Sequence, residues 1–207
     1  MNSISLNNIS KKYTGHWLFK NINVQINAGD PMAITGFNGS GKSTLLKIIS
    51  GYTVPTEGVV NYVINGKTIE QENIFHYISY AAPYLDLIDD FTLMENISFF
   101  TQFKKLKENI SIRELVHIAF LEGSENKQVK FFSSGMKQRL KLSLAVLADT
   151  PILLLDEPLA NLDSKGFQWY ADLTVKYLQN RICIICSNNT KDETAVCKAT
   201  LNVEDFK

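Results

Sequence analysis

Two stretches near the amino terminus, Ile4 to Ile9 and Trp17 to Ile26, alternate polar and apolar residues with a period of two. That spacing predicts half-exposed antiparallel strands, with Tyr13 in the link between them. The next apolar run, Pro31 to Thr35, is short and unbroken and reads as a buried strand. Ser43 to Ile49 then follows helical spacing and stops at Gly51. Pro55-Thr56-Glu57-Gly58 predicts a turn and Val59 to Ile64 a strand closed by the hairpin pair Asn65-Gly66. Ile74 to Tyr80 predicts a further strand.

From Leu85 the pattern turns helical. The segment Phe91 to Phe100 has Thr92 with Glu95 three residues on, and Ser111 to Leu121 has Glu114 at the same offset from Ser111. Both are capping boxes, in which side chain and backbone satisfy each other's free donors. Gly135 to Ala148 predicts a third helix, with Leu140, Leu144 and Leu147 on one face and Lys137, Arg139 and Lys141 elsewhere. Together these make a helical insertion, about 85–149, between strands. Ile152 to Leu155 then reads as a central parallel strand, apolar on both faces. Residues 164–180 predict an amphipathic helix, 181–187 a strand, 190–197 a short helix and 200–205 a final strand. This βαβ alternation implies a parallel core with right-handed crossovers.

Composition narrows the class. The 207 residues suit one full domain, and no repeat or low-complexity linker divides them. Basic and acidic residues balance at 21 each, which argues against a protein held to nucleic acid by bulk charge. No apolar run approaches the ~20 residues needed to span a bilayer, and no signal-peptide core is present. A cytosolic protein, or one that meets a membrane through a partner, is expected. Cys183 and Cys186 form a C-x-x-C inside an apolar strand. Residues three apart on a strand point to opposite faces, so these are expected to be core side chains and not metal ligands.

The candidate chemistry lies at two strand ends. Gly36-Phe37-Asn38-Gly39-Ser40-Gly41-Lys42-Ser43-Thr44 fits G-x-x-x-x-G-K-[ST], between a predicted strand and a predicted helix. Its glycines allow a tight turn whose N–H groups, with the helix N-terminus, cradle phosphates. Lys42 would reach the terminal phosphates of a nucleotide, and the Ser43 hydroxyl would ligate Mg²⁺. The second end is Asp156-Glu157, at the carboxyl end of the predicted central strand, where ligands bind in open α/β sheets. Asp156 suits the metal and Glu157 suits the attacking water, as proton acceptor or orienter.

These motifs, with Phe132-Ser133-Ser134-Gly135-Met136 between them, resemble the nucleotide-binding subunit of ATP-binding cassette (ABC) transporters over essentially the whole chain. The resemblance implies an α/β fold: a P-loop NTPase (RecA-like) core with an antiparallel β subdomain and an inserted α-helical subdomain, in one domain spanning 1–207. Tyr13 matches the aromatic that stacks on adenine, Gly36 to Thr44 the Walker A motif, and Ile152 to Asp156 Walker B. Glu157 matches the catalytic glutamate, Ser133, Ser134, Gly135 and Met136 the signature, and Ala160 to Asp163 the D-loop. The sequence from Gly135 to Leu140 looks more like small bacterial exporter ATPases than sugar importers. Implied with the family are ATP and Mg²⁺, a homodimer or cassette pair closing head to tail on ATP, and multi-pass membrane permease subunits. The protein would then sit in the cytoplasm, peripheral at the inner face of the membrane through the permease. Tyr84, Leu85, Leu87, Ile88, Phe91 and Phe99 are expected along the partner groove, with internal packing an equal expectation for Phe99.

Two positions depart from the family. Pro83 falls where a glutamine normally touches metal and water, and it offers neither a polar side chain nor an N–H. Asn188 falls at the switch histidine, where it can donate a hydrogen bond but cannot become cationic. Three functions stay open: a transport ATPase, a slow or non-hydrolysing ATP-dependent dimerisation switch, and a soluble ABC protein acting on DNA or ribosomes. One cassette without a long heptad run weighs against the third.

Overall fold

The computed structural model describes residues 2–188 and 191–207, in which two sheets and six α-helices are built around two apolar clusters. The antiparallel sheet holds β1 (Ser3–Tyr13), β2 (His16–Asn27), β4 (Glu57–Ile64) and β5 (Lys67–Ile69) in the order β2-β1-β4-β5. Its register is that of long paired strands interrupted by bulges, with Asn8 and Asn21 at φ 53 where the predicted alternation breaks. Asparagine tolerates that left-handed conformation better than most side chains. The β4–β5 hairpin turns on Asn65-Gly66, both at positive φ, as the sequence predicts. Tyr13 is the last residue of β1, paired with His16, and Thr14-Gly15 alone forms the link.

The second sheet is entirely parallel: β6 (Ile78–Ala81), β7 (Ile152–Asp156), β8 (Ile182–Ser187), β3 (Met32–Thr35) and β9 (Ala199–Asn202), in that spatial order. Apolar runs on β7 and β8 are buried on both faces because each face meets a different cluster. Ile152, Leu154, Ile182, Ile184 and Cys186 face the antiparallel sheet and α1 (Lys42–Ile49). Leu153, Leu155, Cys183 and Ile185 face α4 (Ser134–Leu147) and α5 (Ser164–Tyr177). Cys183 and Cys186 are thus free, buried and back to back, as their spacing requires. Each fully buried leucine or isoleucine contributes about 2 kcal/mol.

The helices α2 (Leu93–Phe103), α3 (Ile112–Ile118) and α4 lie in sequence between β6 and β7. Both predicted capping boxes form: Thr92 with Glu95, and Ser111 with Glu114. On α4 the buried side extends past the predicted leucine face to Leu142, Ala145 and Val146, since α3, α5 and β6 pack around it.

Three predicted segments differ. Residues Gln71–Tyr77 form a 3₁₀ helix, and the strand begins only at Ile78. Its partner β7 begins at Ile152, opposite Ile78, so no ladder is available earlier. The final strand ends at Asn202, opposite Thr35, beyond which β3 gives way to the phosphate-type loop. The Asn202 side chain instead accepts from Glu204 N and caps a 3₁₀ turn, Val203–Phe206. The short helix predicted over 190–197 is α6 (Lys191–Thr194) in the described residues, and residue 190 lies outside them. Among the described residues, no helix is long and apolar enough to cross a membrane.

Candidate active site

The glycine loop runs from the end of β3 to the start of α1. Gly36, Gly39 and Gly41 all take positive φ, at 144, 81 and 109. At Gly36 a Cβ would lie 2.6 Å from Ser40 Oγ, so a side chain there would force Ser40 to shift as well as strain the backbone. The Ser40 hydroxyl is buried with no hydrogen-bond partner among the described residues. Lys42 is 4% exposed, and its ammonium donates to Gly36 O at 2.9 Å and Phe37 O at 3.1 Å. A cation is therefore stored inside the loop on two neutral carbonyls, without a carboxylate hydrogen-bond partner among the described residues.

A pocket of about 180 Å³ opens over this loop, lined by Leu18, Asn38, Gly39, Gly41, Lys42, Ser43, Thr44 and Glu157. Glu157 arrives there because β7 is two strands from β3 in the sheet and its chain turns sharply after Asp156. Glu157 takes φ 45, a conformation costly for a non-glycine residue and concentrated at functional sites. Its N–H donates to Cys186 O at 3.0 Å, and its Oε1 accepts from Asn188 Nδ2 at 2.8 Å. The two residues singled out from separate motifs thus meet, because the register aligns Asp156 with Cys186. Asn188, expected near a phosphate oxygen, here holds the Glu157 carboxylate.

Asp156 is almost wholly buried. Burial raises its carboxyl pKa, while the hydroxyls of Ser43 and Tyr84 and the charge of Lys42 pull it back. Its Oδ2 accepts from Tyr84 at 3.1 Å, and its Oδ1 has no partner among the described residues. The Tyr84 hydroxyl is also paired with that of Tyr80, and Lys47 Nζ stands 4.1 Å from the Tyr84 ring centroid. Burial pushes both phenols well above their ordinary value, so both keep their protons at neutral pH. Pro83 offers only its carbonyl, which accepts from Lys141 Nζ of α4 at 3.1 Å.

The remaining predicted residues lie elsewhere. Tyr13 is half exposed with Lys11 Nζ 4.9 Å from its ring, and it does not line the loop pocket. Ser133 caps α4, its Oγ accepting from Met136 N at 3.2 Å, and Ser134 is the first residue of that helix. Gly135 packs so closely on the D-loop segment that a Cβ would lie 3.2 Å from Asn161 O. Asp163 caps α5 through Gly166 N at 2.8 Å. None of residues 133–136 reaches the pocket of its own chain.

Sequence reasoning missed several supports. Gln138, buried on α4, donates to Pro158 O at 2.8 Å and so ties that helix to the turn after Glu157. Glu193, on the polar α6, is buried and accepts from Leu159 N at 3.2 Å and from Ser187 Oγ. Gln138 sits inside the stretch Gly135 to Leu140, which begins within the signature and is its signal in the sequence; Lys191-Asp192-Glu193 reads as a solvated surface. Of the expected groove residues, Tyr84 and Leu85 line a cleft of about 380 Å³ with Lys47, Tyr52, Phe75 and Tyr80. Leu87 packs into the helical cluster, and Phe99 meets Phe91 edge-on while staying 42% exposed.

A glycine loop joining a strand to a helix, with an acidic pair on a nearby parallel strand, defines the class of P-loop nucleotide-binding α/β proteins. A family model described as ABC transporter matches residues 19–160, and the chain belongs to that family. It is 35% identical over 174 residues to the spermidine/putrescine import ATP-binding protein PotA of Mycoplasma mycoides, covering 79% of this chain but 47% of that one. It spans about half the length of the import proteins it matches. An uncharacterized ABC transporter ATP-binding protein of Bacillus subtilis, YybJ, is 29% identical, with 97% of this chain and 92% of that one covered. Among solved structures, a dimeric bacterial ABC transporter cassette superposes with a TM-score of 0.79 at 25% identity, covering 97% of this chain and 94% of that one. An ABC transporter ATP-binding protein from Pyrococcus furiosus shares the fold at a TM-score of 0.82 and 20% identity, with 99% of each chain covered.

Proposed function

We propose that this chain binds ATP with Mg²⁺, hydrolyses it in a pair of cassettes, and powers translocation through membrane-spanning partners. One observation carries this reading. Glu157, held in a strained turn and hydrogen-bonded by Asn188, faces a glycine loop that stores the Lys42 ammonium. Moving that ammonium from two neutral carbonyls to phosphate oxygens exchanges ordinary hydrogen bonds for charge-assisted ones. The loop N–H groups and the α1 N-terminus would bind the remaining phosphate oxygens. Glu157 would accept a proton from water attacking the terminal phosphorus as ADP leaves, with Asn188 fixing the carboxylate.

The residues present also fit Mg²⁺. Asp156 Oδ1 is a buried acceptor without a partner among the described residues, close enough to Ser43 for that hydroxyl to act on its titration. Ser43 and Asp156 would hold the ion, which when bound offsets the charge of the phosphates. The Asn188 contact to Glu157 favours hydrolysis over a non-hydrolysing switch.

The signature residues support a paired site. Ser133 to Met136 stand at a helix N-terminus and do not line the pocket of their own chain; there they would meet an anion of a second copy. A segment of the membrane partner would enter the aromatic cleft beside Tyr84, whose Tyr52 and Phe75 are exposed. In this reading the domain is the single unit 1–207, with 85–149 as its helical part. Titration of ATP into the protein in a calorimeter, with Mg²⁺ present, tests the base of the proposal. Saturable binding is expected, and no heat of binding would overturn it.

A further inference from the structure

The carboxylate of Asp156 presents an asymmetry that its own strand does not explain. One oxygen has a partner and the other has none among the described residues. The torsion that turns an aspartate carboxyl is broad and roughly two-fold, so burial at the end of β7 does not by itself decide which oxygen faces the loop. The hydrogen bond from Tyr84 distinguishes the two: its hydroxyl donates to Oδ2 at 3.1 Å, while Oδ1, with the Ser43 hydroxyl near the carboxyl, has no hydrogen-bond partner among the described residues.

Proton counting gives this contact a direction. Tyr84 donates its single hydroxyl proton to Asp156 Oδ2. The Tyr80–Tyr84 bond must then run from Tyr80 to the Tyr84 oxygen. Hydrogen bonds in such a chain polarise one another in the same sense. The Tyr84 ring is also held in place. Lys47 Nζ lies 4.1 Å from its centroid on one side, and the Tyr80 ring meets it edge-on at 6.4 Å. Pro83, one residue earlier, has no group that reaches Asp156, and its carbonyl is engaged by Lys141.

We propose that Tyr84, supported by Tyr80, is the positioning residue that aims the free Asp156 oxygen at the metal of the nucleotide site. The inference rests on the function proposed above, with Asp156 as a metal-holding group. It assigns to Tyr84 an effect on metal-dependent binding, separate from nucleotide binding as such.

The experiment compares ATP affinity in Mg²⁺ with ATP affinity in EDTA for the parent, Tyr84→Phe and Tyr80→Phe. Tyr84→Phe keeps the ring in the cleft and removes only the hydroxyl. It should cut the Mg²⁺-dependent gain in affinity about tenfold, the loss of one hydrogen bond to a charged group, and leave the EDTA affinity within about twofold. Tyr80→Phe should shift the same ratio in the same direction by less. An unchanged ratio in Tyr84→Phe, or an equal fall in both affinities, would overturn the inference while the proposed function stands. Failure of the parent to bind ATP in either buffer would overturn both together.

Discussion

The two ends of the parallel sheet bury charge in opposite ways. At the amino end of β8, Arg181 is 3% exposed, and its guanidinium donates to Val146 O at 2.7 Å, Thr150 Oγ1 at 2.7 Å and Ser79 Oγ at 2.9 Å. Thr150 in turn donates to Ser79 and to Ile152 O. Burial lowers the Arg181 pKa to about 10, so the cation survives at neutral pH, with Nε buried and without a partner among the described residues. These bonds join α4, β6, β7 and β8. At the carboxyl end, Lys42, Ser40 and Asp156 are just as buried, but Lys42 lines a pocket, as do the neighbours of the other two, Gly39, Gly41 and Glu157; there the site holds a stored cation and, among the described residues, a hydroxyl and a carboxylate oxygen without partners. One end uses buried polarity to fasten the sheet. The other leaves it for a ligand to complete.

If that contrast holds, substitutions at the two ends should separate folding from binding. Lys42→Met has the largest expected effect, weakening ATP binding more than about a hundredfold by calorimetry while the thermal midpoint stays near the parent's. Arg181→Leu should do the reverse. It leaves the Val146 carbonyl and two hydroxyls short of a donor, costing about 2–3 kcal/mol in denaturant unfolding, with the ATP affinity of the folded protein unchanged. Asn188→Ala should lower kcat about tenfold with KM and stability retained, because it frees the Glu157 carboxylate without touching the loop.

The smallest effect concerns the helical region, remote from both ends. Backbone N–H groups of Thr92 and Ser111 hold the Glu95 and Glu114 carboxyls below their ordinary value of 4.5. A carboxyl depressed by folding stabilises above its unfolded pKa and loses that contribution as pH falls through the folded value. The double variant Glu95→Ala, Glu114→Ala should therefore melt slightly below the parent at pH 7, and the gap should close as the pH is taken down past 4.5.

What could be read in the chain beforehand follows the range of the signal. The glycine loop, the capping boxes and the apolar run of β7 depend on neighbours within a few residues, and all form as expected. The lengths of β6 and β9 do not, since each stops where its parallel partner stops. Side chains aimed across the fold were the least legible. Tyr84 reaches an aspartate 72 residues away, and Arg181 meets Ser79 over a separation of 102. Glu193 is hidden by its own composition, a charge among charges that β8 and the loop after β7 draw into the interior. Asn188 was legible as a position and not as a partner, because its contact to Glu157 depends on the β7–β8 register.

The central claim is that the open end of the sheet is a hydrolytic ATP site whose water is handled by Glu157. Steady-state ATP hydrolysis by the parent and by Glu157→Gln, with size-exclusion chromatography of both in Mg²⁺-ATP, tests it most directly. The expected result is turnover in the parent, a loss of about 10²–10⁴ in kcat in the variant, and an ATP-dependent dimer that accumulates only in the variant. Equal turnover in both proteins, or none in either while both bind ATP and dimerise, would contradict the account.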